Sequence, residues 1–275
     1  MTQMAQATQM FVTSTDGTRI AVYVSGQGRP VVLVPGTSSD HTSWRLVQPL
    51  LDPHLSTYLV DRRGRGASGD GADYSLDLER ADIAAVVDAA AARYGGPPDL
   101  FGHSYGGNIA FGVASRSRNV RRLVLYEGWP PPDIAHRTYD PALLDHLDAL
   151  LAAGRPDRML RTFYRDVVYL TAGELDALVA SPVWPARLAA AGSVPREIRA
   201  FGEHAFDAEQ AARITAPVLL LVGADSPAEL RANPEVVAAA LPDARIRTLH
   251  GQTHIAHLAA PAALAAEMLA FLADS

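Results

Sequence analysis

Residues 101–107, FGHSYGG, place a serine among glycines where a β-rich run gives way to a helical one. The run PDLFGH (98–103) has strand character, and a helical pattern begins at Ser104. A serine at the apex of such a strand-to-helix turn takes a strained backbone conformation, and small flanking residues let strand and helix approach closely. Its hydroxyl then stands above the sheet edge. The N–H of Tyr105, at the start of the helix, points to where negative charge on an attacked oxygen would develop.

The flanking sequence supplies the sheet that this turn requires. MFVTST (10–15) and IAVYVSG (20–26) resemble a hairpin turning at Asp16-Gly17. PVVLVPG (30–36) is a continuous apolar run, as in a parallel strand buried on both faces. A helix is expected around 42–51, then a strand over 56–61, a long Ala-rich helix over 77–94 stopped by Gly95-Gly96, and a strand over 121–127. The alternation breaks between 131 and 215, where PALLDHLDALLAAG, RPDRMLRTFYRDVVYL, TAGELDALVA and PREIRAFGEHAF read as helices. It resumes with VLLLVG (218–223), ARIRTLHG (244–251) and a last helix over 261–273. The pattern predicts an α/β core of residues 1–130 and 212–275 with a mostly parallel sheet, and a helical cap, 131–211, inserted before the penultimate core strand.

Composition narrows the chemistry. The 275 residues are 48% hydrophobic, ample for one large core with an insertion. The absence of cysteine removes thiol nucleophiles, disulfides and thiolate metal sites. All 24 basic residues are arginine, so a Schiff-base lysine, a phosphate-loop lysine and a Ser–Lys dyad are also removed. A net charge of −6 argues against a nucleic-acid surface. No His-Glu-x-x-His arrangement occurs; the one His-x-x-x-His, His250-Gly-Gln-Thr-His254, runs from a strand end into a loop, and His254-Ile-Ala-His257 has only i, i+3 spacing there, so neither a metal nor a cofactor is expected. The N-terminal MTQMAQATQMFV lacks a basic region followed by an apolar core, and no run of eighteen apolar residues occurs. A cytoplasmic protein without membrane contact, a monomer or homodimer, is expected.

The chain resembles the α/β-hydrolase fold superfamily over nearly its whole length. The resemblance rests on PGTSSDHTSW (35–44), DRRGRGASG (61–69), GHSYGG at the turn and GQTHIAH (251–257) after the last strand. It implies Ser104 as nucleophile, with His254 as base in the loop where the family carries it and His257 as its fallback. It implies backbone N–H groups of Thr37 and Tyr105 as the oxyanion hole. Pro35-Gly36 stands where relatives often have His-Gly, which removes a side chain and leaves the backbone donor. Asp61 and the glycines of DRRGRGASG are structural by the same resemblance, and His103 packs within the elbow.

The acid has two candidates. The family places it after the strand at 218–223, commonly as Gly, two residues, then Asp, often followed by Pro. Aligning Gly223 and Pro227 puts Ser226 at that position and Asp225 one residue early. A one-residue shift near a strand end turns a side chain to the opposite side. Glu127, at the tip of VRRLVLYE (120–127), resembles the acid of superfamily members that carry a Glu there, certain haloalkane dehalogenases among them. We favour Glu127, with Asp225 as the alternative.

Serine at the elbow suits attack on acyl carbon, whereas the epoxide hydrolases and dehalogenases of the superfamily use Asp to displace at sp3 carbon. The resemblance therefore implies a hydrolase of a carboxylic ester or lactone acting on a small apolar molecule. The alternatives are a C–C bond hydrolase, a non-hydrolytic lyase or biosynthetic cyclisation or rearrangement enzyme on the same fold, and a receptor-like binding protein. His41, Trp129 and Trp184 are the candidate pocket residues. The cap offers no charged cluster to anchor an acidic substrate.

Overall fold

The computed structural model describes residues 7–131, 140–202, 204–231 and 233–273. Eight strands form one sheet: β1 (Thr8–Thr13), β2 (Arg19–Gly26), β3 (Pro30–Val34), β4 (Ser56–Val60), β5 (Asp99–His103), β6 (Leu123–Tyr126), β7 (Val218–Gly223) and β8 (Ala244–Leu249), in the order β1-β2-β4-β3-β5-β6-β7-β8. Only β2 runs against the rest, pairing antiparallel with both β1 and β4. The expected hairpin pairs Thr13 with Arg19 across the turn, where Gly17 takes a φ of 87°.

Strand alternation divides the core in two. Val32, Val34, Leu100, Leu220 and Val222 face one layer, with α2 (Leu76–Tyr94) and α3 (Tyr105–Ala114) packed on them. Val31, Leu33, Phe101, Leu219 and Leu221 face the other, covered by α1 (Gln48–Leu51) and the last helix, α12 (Pro261–Ala273). Val31 to Val34 are all fully buried, and each such side chain contributes about 2 kcal/mol of transfer free energy. The helix expected over 42–51 is divided: a 3-10 turn at His41–Trp44, capped by Asp40, precedes the single-turn α1, with Pro49 in its first turn. A proline ring there would clash with a helix continuing from Arg45.

Between β6 and β7 lie α4 (Pro141–Ala152), α5 (Pro156–Asp166), α6 (Ala172–Val179), α7 (Trp184–Ala189), α8 (Val194–Gly202) and α9 (Ala208–Ala212). The inserted helices build an apolar cluster of their own around Leu147, Met159, Phe163, Leu178, Val194 and Ile198. Phe201 and Ala211 pack instead in the sheet-side layer with α2 and α3. Buried charge joins the insertion to the core. Glu197 of α8 meets Arg62 at 3.1 Å and also pairs with Arg65, while Arg62 holds Glu79 of α2 at 2.6 Å. After β7 follow α10 (Pro234–Ala240) and, beyond β8, α11 (Ala256–Ala259). No helix among the described residues is long and apolar enough to cross a membrane.

Candidate active site

The candidate residues gather at the carboxyl ends of the parallel strands, where ligands bind in open α/β sheets. β3 leads into Thr37, β5 into Ser104, β6 into Glu127, and β8 into the loop carrying His254.

Ser104 caps α3 with φ 55° and ψ −126°, a conformation costly for a residue with a side chain. The surrounding packing enforces it. A Cβ on Gly102 would come within 2.6 Å of Gly107 Cα, and one on Gly107 within 2.2 Å of the Gly128 carbonyl oxygen. The Ser104 N–H donates to the Tyr126 carbonyl at 3.0 Å, tying the elbow to β6.

The loop at Pro35–Thr37 is oriented from behind. Fully buried Arg62 donates to the carbonyls of Pro35 and Gly36 at 3.3 and 3.0 Å, and its guanidinium stacks under the Tyr105 ring. In a trans peptide the N–H points opposite to the C=O, so Arg62 turns the Thr37 N–H away from itself. Among the described residues neither the Thr37 nor the Tyr105 N–H has a partner.

The structure brings His254 and Glu127 together. His254 Nδ1 lies 2.6 Å from Glu127 Oε2, with both side chains almost wholly buried. Glu127 Oε1 accepts the Gly223 N–H at 2.7 Å, so the carboxylate spans from β6 to the end of β7. Glu127 itself has a φ of 43°. Asp225 is exposed, and among the described residues only its backbone N–H is engaged, at 2.9 Å from the Gln252 carbonyl. The Ser226 hydroxyl is buried beside Gly223 without a hydrogen-bond partner among the described residues. His103 Nε2 donates to the His254 carbonyl at 2.8 Å, and the His103 ring lies 4.6 Å from both His254 and His257. Burial, reinforced by the neighbouring imidazoles, holds His103 well below the usual histidine range. Burial does the same to His257, with the Arg187 charge next in effect.

Ser104, His254 and Thr37 line a cavity with two lobes. One, of about 430 Å³, is walled by Tyr105, Phe163, Val167, Ile198, Phe201 and Leu230. The other, of about 350 Å³, is walled by Ser39, Tyr164, His257 and Arg187. His41, Trp129 and Trp184, expected to line the pocket, line neither lobe. His41 stacks on Tyr23 at 3.6 Å and bonds Asp61 at 2.6 Å. Trp129 packs in the sheet-side core, and Trp184 packs within the inserted helices with its indole on Asp157. Each ring is worth more as buried area than as pocket wall. Asp40, His41 and Asp61 bring potential metal-ligating atoms within 4.8 Å of one another. Their carboxylates are already occupied by Thr42, His41 and the Ala67 N–H.

Sequence reasoning missed Arg187. The buried arginines Arg62, Arg63, Arg65 and Arg80 each meet a carboxylate. Arg187, also buried, meets only the hydroxyls of Ser39, at 2.6 Å, and Tyr164 among the described residues, and its Nε is unpartnered. Nothing in its sequence neighbourhood distinguishes it from the other arginines of the insertion.

The structure is similar to that of an alpha/beta hydrolase from Sphaerobacter thermophilus, with a TM-score of 0.83 and 34% identity over 96% of this chain and all of that one. Among curated proteins, the N-formylmaleamate deformylase of Pseudomonas putida is 35% identical over 131 residues, 46% of this chain and 47% of that protein. The 2-hydroxymuconate semialdehyde hydrolase of a Pseudomonas species is 36% identical over 40% of each chain. The chain thus matches under half the length of these curated relatives. The model of the alpha/beta hydrolase family matches residues 31–267, and on that match, with the sheet order and the serine elbow, the chain belongs to the alpha/beta hydrolase family.

Proposed function

We propose that the protein hydrolyses a small carboxylic ester or lactone through an acyl-enzyme on Ser104. The observation that carries this reading is the buried His254–Glu127 contact of 2.6 Å at the wall of the cavity that also holds Ser104. With Nδ1–H held by Glu127, the tautomer leaves Nε2 as the base. Ser104 Oγ attacks the acyl carbon as His254 takes its proton, and the Thr37 and Tyr105 N–H groups receive the oxyanion. Collapse expels the leaving group with the proton from His254. A water activated by the same imidazole then releases the acid. Residues 131–211 act as the cap that shapes the pocket.

Arg187 refines the substrate. A buried guanidinium with only neutral partners is costly, and an anionic ligand group supplies the missing charge. An apolar body in the larger lobe with a carboxylate reaching Arg187 fits both walls. This departs from the wholly apolar substrate expected from the sequence. It also supports a second reading, cleavage of an acyl C–N or C–C bond in an acidic compound, since the names of the two curated relatives describe action on maleamate and muconate derivatives.

Two experiments test the two levels. A fluorophosphonate should label the wild type stoichiometrically and leave Ser104→Ala unlabelled; equal labelling of the two would sink the acyl-enzyme. On paired esters with and without a terminal carboxylate, Arg187→Met should raise KM for the acidic member on the order of tenfold or more, with the neutral one little changed. Equal effects on both would remove the anion from the proposal.

A further inference from the structure

Glu174, at the third position of α6, has a carboxylate shared between two parts of the molecule. Oε2 accepts the Thr171 N–H and hydroxyl at 2.9 and 2.7 Å, closing the capping box of α6. Oε1 accepts the Thr253 hydroxyl at 2.5 Å. Thr253 immediately precedes His254, and its carbonyl accepts the Tyr126 hydroxyl of β6. The residue before the imidazole is therefore held by its carbonyl from the core and by its side chain from an inserted helix.

We propose that Glu174 is a positioning residue for His254, so that the seating of the imidazole and the field around it depend on α6 being docked. The proposal rests on His254 being the base. The groups facing His254 are Tyr126 of β6 and Glu127 just beyond it, His103 from the elbow, His257 from α11 and Glu174 from α6, with Arg187 of α7 near the two outer histidines, His103 and His257. The outer histidines are buried and neutral. The imidazolium that forms during acyl transfer is then stabilised by Glu127 in direct contact and by Glu174 across Thr253. Burial acts to raise the Glu174 carboxyl, but hydrogen bonds from Thr253 and Thr171, with the His254 charge, hold it below the usual range. It is an anion at working pH. A capping carboxylate serving only its helix would need no contact with the histidine loop.

Three variants separate the roles. Glu174→Gln keeps an acceptor and removes the charge, Thr253→Val removes the link and keeps the charge, and Thr171→Ala removes the cap hydroxyl with its bond to Glu174 while keeping the charge, the Thr171 N–H bond and the Thr253 link. With p-nitrophenyl butyrate, Glu174→Gln and Thr253→Val should each lower kcat on the order of tenfold with KM nearly constant. The acid limb of the kcat/KM profile should move to lower pH by a few tenths of a unit in Glu174→Gln, because a nearby anion favours the protonated base. Thr171→Ala should lower Tm by a few degrees and leave the profile unmoved. A Glu174→Gln profile and kcat equal to wild type, or a Thr171→Ala variant reproducing the Glu174→Gln profile, would overturn the proposal. His254→Ala, run in parallel, separates the two readings: retained activity there removes the base itself, whereas an inactive His254→Ala beside a wild-type-like Glu174→Gln removes only the role given to Glu174.

Discussion

One residue of register leaves Glu127 and Asp225 in very different surroundings. Asp225 follows the strand that ordinarily delivers the acid, yet it is exposed, and the position in register holds the buried Ser226. Glu127 lies 96 residues before Gly223 in the chain and accepts that glycine's N–H, so the carboxylate reaches the end of β7 from its neighbour. This much was legible, because the Gly223–Pro227 spacing can be counted and the tip of β6 inspected. Arg187 was not, because whether an arginine is paired depends on which carboxylates fold against it. We expect Glu127→Gln to lower kcat by two to four orders of magnitude, about the loss when the carboxylate holding a catalytic imidazole becomes neutral. Asp225→Asn should stay within about threefold of wild type, as an exposed side chain without a partner among the described residues does little for the barrier. Steady-state kinetics of the two variants decide the assignment, and the reverse ranking would return it to Asp225.

At the scale of elements, the segment DRRGRG reads as a turn and is one, but its three arginines do more than turn the chain. Arg63 is buried against Asp82 of α2 and Asp16 of the hairpin, while Arg62 and Arg65 converge on Glu197 of α8. Burial works against ionisation of Glu197, and the Arg62 and Arg65 charges outweigh it, holding its carboxyl low. Helices of the insertion could be placed from their apolar spacing, as with TAGELDALVA, which Thr171 caps and whose third helical residue is Glu174. Their docking could not, because it depends on charges more than a hundred residues away in sequence. Arg62 retains Glu79 if Glu197 is neutralised, whereas Arg65 keeps only neutral partners. Breaking one side of a buried pair strands the other, so Glu197→Gln should cost about 3–5 kcal/mol of unfolding free energy. Chemical denaturation followed by fluorescence measures it; a cost below about 1 kcal/mol would mean that the network is dispensable for holding α8 to the core.

The molecule as a whole carries an acid sensitivity built from two of its buried histidines, His103 and His257. His103 donates to the His254 carbonyl, and His257 packs against His103 and Trp44 with its Nδ1 unpartnered among the described residues. Both are held well below the ordinary histidine value, chiefly by burial. In the unfolded chain each titrates near pH 6.5, so between that pH and the lower folded values the unfolded state binds protons that the folded state refuses. Stability therefore rises with pH through this window and is lost as the solution is acidified below about 6.5. Two such groups give a slope of up to about 2.7 kcal/mol per pH unit at full separation. The carboxylates held low, such as Glu174 and Asp77, add their own loss only at more acidic pH, near and below their unfolded values. Replacing His257 by Asn, which does not titrate, should remove about half of the slope while leaving the His103–His254 bond in place. Tm measured from pH 7.5 to 5.0 for wild type and His257→Asn should diverge most at neutral pH and converge on acidification, because only the wild type loses the His257 contribution. Parallel curves through that range would show that His257 does not resist protonation in the folded protein.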